Sequence, residues 1–439
     1  MQLKPRARLP TAASARRQLM AASCALLGAS AVRGQEARMA PADSGLLEDW
    51  SVDSALAYYH ENGRIQAIEP VVNVSKLFAD GQELNFNATF DSLSGSSPNG
   101  ALTSRTAQTF ASPSGKTSHS YTTAPGQLPV DPHYQDDRIA VGGNWTLPLT
   151  RVDQLSIGGK LSDEHDFFSA TVNASIAHDF NEKNTTLSFG VDDEYDSLQP
   201  IGGAPVPGSD YALFEKTGHK SKNGVGVLLG LTQVMTRNWL SEFNVSVDRF
   251  KGYLNDPYKI TSIIDSAGNT TGYRYESRPD QRTRKSAYWE NRVAWNQQVS
   301  TGLSLRYMRD DWGVRSDTAQ LHLRWSLFNR DRYVEPTLRW YRQTAANFYT
   351  PFILNTNAPP TTIYESSDSR LGAFHALTYG LKYAQKVHGS GSRRESEFSV
   401  RVEYYQQTFN ERPATPAALQ GLDLYPDLKA ILVQVGWRF

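Results

Sequence analysis

Residues 429–439 read Lys429-Ala-Ile-Leu-Val-Gln-Val-Gly-Trp-Arg-Phe439 and alternate in character up to an aromatic last residue. Successive side chains of a β-strand point to opposite faces, so one face carries apolar residues and the other carries polar or small ones. The apolar face comprises Ile431, Val433, Val435, Trp437 and Phe439, and the other comprises Gln434, Gly436 and Arg438. This pattern is typical of the closing strand of a bacterial outer-membrane β-barrel. As a soluble edge strand it would leave unpaired backbone groups and an apolar face in water.

The N-terminal segment predicts export from the cytoplasm. Basic residues from Lys4 to Arg17 precede an apolar stretch from Leu19 to Val32 that is too short to span a bilayer. We interpret residues 1–34 as a cleaved signal peptide and residues 35–51 as a short periplasmic tail. The only cysteine, Cys24, lies in the signal. A mature chain without thiols excludes disulfides, thiolate metal sites and cysteine nucleophiles.

Composition is compatible with a membrane barrel. The mean hydropathy of −0.50 would normally indicate a soluble protein, but barrel strands place lipid-facing residues only at every second position, so the average conceals them. The chain has 21 Tyr, 18 Phe and 9 Trp, enough for two aromatic girdles at the membrane interfaces. Equal numbers of basic and acidic residues, 45 of each, give no indication of nucleic-acid binding.

Counting alternating segments backwards from the C-terminus gives an all-β fold: a transmembrane antiparallel β-barrel of about sixteen strands. An even number places both termini in the periplasm, with short turns there and long loops outside the cell. We predict one barrel domain over residues 52–439. The predicted strands lie near 52–60, 65–78, 84–90, 137–147, 153–162, 167–178, 185–195, 223–235, 239–250, 285–298, 301–310, 316–328, 332–343, 371–386, 398–405 and 429–439. The predicted long extracellular loops lie near 93–136, 196–222, 251–284, 345–370 and 408–428.

Five stretches carry a family resemblance. They are Asp91–Ala101, Gly252–Lys259, Glu276–Arg284, Arg306–Gly313 and Leu338–Tyr349, which together extend over most of the predicted barrel. With them the chain resembles a bacterial family known as domain of unknown function 3570. The resemblance implies an outer-membrane barrel, and it brings no catalytic or binding residues to carry over. The stretches fall at predicted extracellular strand ends and loops, where either loop architecture or ligand contact could account for them.

Charges at the predicted barrel mouth separate by sign. Carboxylates on strands three to seven include Asp163, Asp166, Asp192, Asp193 and Glu194, and cations on strands nine to twelve and their loop include Arg278, Arg282, Arg309 and Arg315. The two groups lie nearly opposite on a ring of sixteen strands. A water-filled pore between them would hold a transverse field that orients polar or zwitterionic solutes. Alternatively, these charges pair with one another or with lipopolysaccharide and solvate the rim.

Two further groups of residues have side chains that could form a site. The carboxylates Asp163, Glu164, Asp166 and Asp192 offer the oxygen ligands that calcium prefers. They form only a weak calcium candidate, because strand alternation points about half of them away from any common centre. His165 and His178 lie near carboxylates, but no nucleophile elbow, paired-histidine motif or phosphate loop accompanies them. We therefore predict no enzyme activity and no cofactor.

The predicted role is a channel or transport component for small polar solutes in the outer membrane of a Gram-negative bacterium. A non-conducting structural or partner-binding barrel is the first alternative, and an outer-membrane hydrolase is the second. Expected partners are outer-membrane lipid, lipopolysaccharide and the barrel-insertion machinery, which would bind the C-terminal signal Val435, Trp437 and Phe439. An unknown periplasmic or cell-surface partner is a further expectation.

Overall fold

Sixteen antiparallel strands form one closed barrel, which confirms the predicted fold. The computed structural model describes residues 50–112, 119–327, 330–355, 364–388, 395–410, 416–425 and 427–439. The barrel strands are β1 (Trp50–Glu61), β2 (Ile65–Leu77), β3 (Glu83–Pro98), β4 (Val130–Pro148), β5 (Asp153–Glu164), β6 (Phe167–Phe180), β7 (Thr185–Leu198), β8 (Lys220–Thr236), β9 (Trp239–Gly252), β10 (Gln281–Ala294), β11 (Val299–Asp310), β12 (Arg315–Leu327), β13 (Arg332–Gln343), β14 (Phe374–His388), β15 (Glu395–Phe409) and β16 (Leu428–Arg438).

Alternation along each strand separates an apolar outer face from a polar inner face. On β7, Leu187 and Phe189 are 41% and 47% exposed, whereas Ser188 lies between them on the other face. Exposed apolar side chains recur in this way on strands around the barrel and form an outer belt that a soluble protein would not leave in water. An apolar outer face of this kind is suited to contact with membrane lipid.

The last strand closes the barrel against the first. Arg438 pairs with Asp53 in the register between β16 and β1, and Val52 and Phe439 exchange two backbone hydrogen bonds. Ile431, Val435, Trp437 and Phe439 are exposed on the outer face, as the C-terminal alternation predicts. With an even number of strands, the described chain begins and ends at the same end of the barrel.

Strand boundaries differ from the predictions at a few places. Strands β3 and β4 are longer than predicted, so residues 93–98 and 130–136 are strand and not part of a loop near 93–136. The first strand begins at Trp50, inside the predicted tail 35–51. The predicted signal 1–34 and the tail up to residue 49 lie outside the described residues.

Connections are short at the end of the barrel where the described chain begins and ends, and mostly long at the other. A tight turn at Asp80-Gly81 joins β2 to β3, with Gly81 at φ 86°, a backbone angle that glycine tolerates best. At the same end, Asn181, Glu182 and Lys183 join β6 to β7 with positive φ angles. The five long loops at the opposite end are residues 99–129, 199–219, 253–280, 344–373 and 410–427.

The described parts of these long loops fold together into one layer, which we call the cap. It contains a three-stranded sheet of Ile260–Ile264, Thr270–Tyr275 and Phe352–Leu354, a hairpin of Gln108–Ser112 and His119–Thr123, and a short pair of Ala204–Pro205 and Lys216–Thr217. Buried apolar clusters join the loops, including one formed by Ala101, Phe110, Tyr121, Ile260 and Tyr275. The cap therefore has a hydrophobic core of its own.

The cap crosses the barrel mouth. Loop 99–129 and loop 253–280 leave the barrel six places apart on a ring of sixteen strands. With a strand spacing of about 4.8 Å and a tilt of about 40°, a barrel of sixteen strands is roughly 30 Å wide. Even so, the amide of Ile260 donates to the carbonyl of Asn99 at 2.9 Å, and the amide of Leu102 donates to Oγ of Ser262 at 2.9 Å. Contacts between loops so far apart on the ring require chain to span the opening.

No helix among the described residues is long and apolar enough to cross a membrane.

Candidate functional site

The candidate site is the inner wall of the barrel together with the cap above it. Carboxylates outnumber cations on the inner face of β3 to β9, and we call this side the acidic wall. Its carboxylates beside the cap are Asp91, Asp136, Glu164, Asp192, Glu194, Asp196 and Asp248. Cations outnumber carboxylates on the inner face of β10 to β15, which we call the basic wall. Its cations include Arg282, Arg284, Arg306, Arg324, Arg339, Lys382 and Arg401.

The two walls meet at β9 and β10. There Arg284 lies 3.8 Å from Asp248, while Arg282 pairs with Asp310 at 2.5 Å and stacks on the Trp312 ring, 4.4 Å from its centre. Away from this seam, several charges face the lumen without an opposite partner. Asp192 on β7 and Arg339 on β13 are two of these charges, and they lie six places apart on the ring of sixteen strands.

The carboxylate of Asp192 lies on the inner face of β7 without a neighbouring hydrogen-bond donor among the described residues. Its Oδ1 atom is buried and accepts no hydrogen bond from the described residues. Gly226 lies beside it on β8, and a Cβ there would collide with this same oxygen. The absence of a side chain at Gly226 therefore leaves room for the carboxylate on the inner wall.

Arg339 is the most open cation of the basic wall. It lies on the inner face of β13, opposite Gln320 and Thr378, and its side chain is exposed. Within the described residues it has no carboxylate within 4 Å. An exposed guanidinium inside the barrel requires water around it, so this part of the lumen is wet.

The structure divides the predicted mouth charges among four locations. Asp192, Glu194 and Arg282 face the lumen, whereas Asp163, Asp193, Arg309 and Arg315 share the outer face with the apolar belt. Asp166 lies in the turn between β5 and β6, where burial, with the nearby Asp136 charge, raises its pKa to about 6. Arg278 lies inside the cap. The predicted ring of opposed charges is therefore wrong for the outward-facing residues, because strand alternation turns them away from the pore.

The weak calcium candidate gains no geometric support. Among the described residues, no three His, Cys, Asp or Glu side chains come together as a metal site. Alternation explains this result: Asp163 points outward, Glu164 and Asp192 point inward from strands that are not adjacent, and Asp166 lies in a turn.

The two histidines considered for catalysis are far apart. His165 lies in the turn at the cap end of β6, whereas His178 lies near the other end of that strand, on its outer face. There its Nδ1 atom lies 2.6 Å from Oδ1 of Asp153. The structure does not bring His165, His178 and the carboxylates of β7 into one catalytic group.

An ionic cluster, buried at Glu276, Arg278 and Asp368 and exposed at Arg370, joins two loops of the cap. It consists of Asp256, Glu276, Arg278, Asp368 and Arg370. Arg278 contacts Glu276 at 2.7 Å and Asp368 at 2.8 Å, and Arg370 contacts Asp368 at 2.6 Å and Asp256 at 2.5 Å. The side chains of Glu276 and Asp368 are only 1% and 2% exposed. The cluster links loop 253–280 to loop 344–373.

Burial and charge act in opposite directions on the two most buried carboxyl groups of the cluster. Burial raises the pKa of Glu276 to about 7, against the neighbouring Arg278 charge and with help from Asp256. Although burial also opposes ionisation of Asp368, the charges of Arg370, Lys259 and Arg278 hold its pKa well below the usual range. Glu276 is therefore the group of this pair that takes up a proton near neutral pH.

The stretches that carry the family resemblance pack against one another in or beneath the cap. Gly252–Lys259 and Glu276–Arg284 meet in the ionic cluster. The amide of Asn347 donates to the carbonyl of Trp312 at 2.8 Å, which joins Arg306–Gly313 to Leu338–Tyr349. Nζ of Lys259 donates to the carbonyl of Pro98, which joins Gly252–Lys259 to Asp91–Ala101. Of the two interpretations, loop architecture accounts for the contacts observed.

The family described as "Protein of unknown function (DUF3570)" matches residues 16–439. The chain belongs to the DUF3570 family. Its closed barrel and apolar belt are those of an outer-membrane protein of a Gram-negative bacterium.

Solved outer-membrane barrels resemble this DUF3570 protein only distantly. Pseudomonas aeruginosa OccD3 (OpdP) is 8% identical in sequence to this chain and superposes with a TM-score of 0.42; the alignment covers 89% of this chain and 91% of OccD3. Pseudomonas aeruginosa OccK1 (OpdK) is 10% identical with a TM-score of 0.39, covering 90% and 100%. A bacterial polysaccharide outer membrane secretin is 9% identical with a TM-score of 0.40, covering 89% and 98%. Among curated proteins, none matches the chain.

Proposed function

We propose that this DUF3570 protein is a channel or transport component for small polar solutes, with the cap controlling access to the lumen. The observation that carries the proposal is the separation of unpaired charge across the inner wall, from Asp192 on β7 to Arg339 on β13. A barrel built only as a scaffold gains nothing from uncompensated charges facing one another across water, because each is more stable when paired locally. In a channel, the same arrangement orients a dipolar solute.

The proposed orientation places the cap outside the cell and the chain ends in the periplasm. Short turns at one end and long loops at the other support it, because outer-membrane barrels have this asymmetry. A cysteine introduced by Ser266→Cys in loop 253–280 should react with a membrane-impermeant maleimide on intact cells. One introduced by Arg151→Cys in the turn between β4 and β5 should react only after the cells are lysed. The opposite labelling would overturn the orientation.

The conducting role is tested by ion selectivity in a planar bilayer at low salt. Asp192→Asn should shift selectivity towards anions, and Arg339→Gln should shift it towards cations. Two matched controls make the same chemical changes on the outer face of the same strands: Asp193→Asn and Arg342→Gln. The controls should leave selectivity unchanged, because their side chains do not face the lumen.

A second candidate is a non-conducting barrel whose cap binds a partner, and the observation that favours it is the buried core of the cap over the mouth. A channel and a non-conducting barrel differ in whether loosening the cap changes the conductance. If the wild type and a variant with a destabilised ionic cluster are both folded and both non-conducting, the channel proposal fails. If the variant conducts and the wild type opens only rarely, the cap is a gate.

A further inference from the structure

A row of three cations lies on the outer surface at the cap end of the barrel. Lys285 on β10 is directly opposite Arg309 on β11, and Arg309 is directly opposite Arg315 on β12. All three are exposed and lie on the outer face of the barrel, which on β11 also carries Leu305 and Tyr307. Arg309 is one alternation beyond Tyr307 towards the cap. This basic row therefore lies at the edge of the apolar belt, at the depth of lipid headgroups.

The protein itself does not neutralise the basic row. Like charges directly opposite one another on adjacent strands destabilise the pair, because their Cβ atoms are only about 5 Å apart. In the described part of the chain, none of the three side chains has a carboxylate within 4 Å. Asp317, two residues beyond Arg315 on the same face, forms no ion pair with it. The row is therefore free to bind anions from outside the protein.

We propose that the basic row binds the phosphate groups of a phosphorylated glycolipid of the outer leaflet, the headgroup of lipopolysaccharide. A guanidinium group can donate two parallel hydrogen bonds to a phosphate, and two arginines beside a lysine offer a surface for a doubly phosphorylated headgroup. The lipid tails would lie against the apolar belt below. The proposal rests on the proposed orientation, because only the outer leaflet contains this lipid.

The opposite side of the barrel shows that the row is local. On the outer face at the cap ends of β4, β5 and β7, the exposed charged residues are Asp137, Asp163 and Asp193. A phosphate is repelled there and attracted on β10 to β12, so the lipid is bound on one side of the barrel only.

The test is a lipid titration of the refolded full-length barrel in detergent, followed by native mass spectrometry. Three probes are compared: lipid A with two phosphates, the same lipid after dephosphorylation, and inorganic phosphate as a competitor. The double variant Arg309→Gln/Arg315→Gln removes two cations of the row. The matched double variant Arg306→Gln/Arg339→Gln removes two arginines from the inner wall of neighbouring strands. Heat-modifiable migration on a gel checks that each variant is folded.

Each headgroup-facing cation is expected to change affinity about fivefold, so the outer double variant should bind bisphosphorylated lipid A about thirtyfold more weakly. The inner double variant should bind it as the wild type does. Equal affinity for the phosphorylated and dephosphorylated lipids would overturn the proposal, as would an equal loss in both variants. Displacement of the lipid by inorganic phosphate would identify free phosphate as the ligand and also overturn it. If the double variant does not fold, the single variant Arg309→Gln must show the fivefold loss.

Discussion

Replacing Arg278 with glutamine should loosen the cap and leave the barrel intact. The guanidinium group contacts Glu276 at 2.7 Å and Asp368 at 2.8 Å, and its own side chain is only 11% exposed. Removing one partner from a buried ionic group costs about 3–5 kcal/mol, because the remaining charges lose their compensation away from water. We expect about 3 kcal/mol, the lower end of this range, because Glu276 can take up a proton and Arg370 still compensates Asp368.

Hydrogen exchange measures this change directly. A loss of about 3 kcal/mol in cap stability should accelerate exchange of the amides that join the loops by roughly a hundredfold. The amides to follow are those of Tyr275, which donates to Ser209, and Ser277, which donates to Glu365. Amides in the middle of the barrel strands should be unaffected. The control is Arg309→Gln, the same chemical change on the outer face, which should leave cap exchange unaltered. Unchanged cap exchange in the Arg278 variant, or equal acceleration throughout the barrel, would refute the reasoning.

Three further predictions follow from single side chains. The pKa of Glu276 is raised to about 7 in the folded cap, so near neutral pH the folded state holds a proton that the unfolded loop releases. Cap stability should therefore fall as pH rises from about 5 to 8. Amide exchange in the cap should depend on pH in this way in the wild type and should lose this dependence in Glu276→Gln. In Gly302→Ala the new methyl group would collide with the His322 ring, so thermal unfolding should show a loss of about 1–3 kcal/mol, whereas Gly218→Ala, with open space around it, should show none. Trp437→Ala removes a lipid-facing aromatic residue of the predicted insertion signal, and should lower the amount of assembled barrel in cells while purified protein still refolds; equal assembly of variant and wild type would count against that signal.

The fold could be predicted from the sequence because each strand carries its own periodic signal. Leu187, Phe189 and Val191 occupy alternate positions whether or not the neighbouring strand is known, and the short turns fix where the next strand begins. A period of two residues also assigns the face. Arg309 is an even number of residues from Leu305 and Tyr307, so its outward direction could have been read from the sequence. A charge at the end of a strand therefore faces the mouth only where this alternation turns it inward.

The cap could not be predicted in the same way. Its contacts join residues that are distant in sequence and carry no shared pattern, such as the parallel pairing of Ser262 with Phe352 and the bond from Ile260 to Asn99. Arg278 is an example: by sequence it is a charged residue in a polar loop, and only the meeting of two loops buries it between Glu276 and Asp368. Loop length and polarity give no means of foreseeing such a partner.

The backbone hydrogen bonds between long loops converge on loop 253–280. Loop 253–280 bonds to each of the other four long loops: to Asn99, to Ser209, to Glu365 and, through Ala267, to the amide of Ala418. Loop 99–129 also bonds to each of the other four, largely through side chains: Arg105 donates to the carbonyls of Ala418 and Gln420, Oγ of Ser367 donates to the carbonyl of Gly100, and the amide of Ala111 donates to the Tyr211 hydroxyl. A change in loop 253–280 or in loop 99–129 therefore reaches every other long loop of the cap. Two of the stretches that carry the family resemblance, Gly252–Lys259 and Glu276–Arg284, are the two ends of loop 253–280. Because the ionic cluster ties both ends of loop 253–280 to loop 344–373, weakening the cluster should loosen this loop at both ends, while its bonds to Asn99, Ser209 and Ala418 and the strands beneath remain.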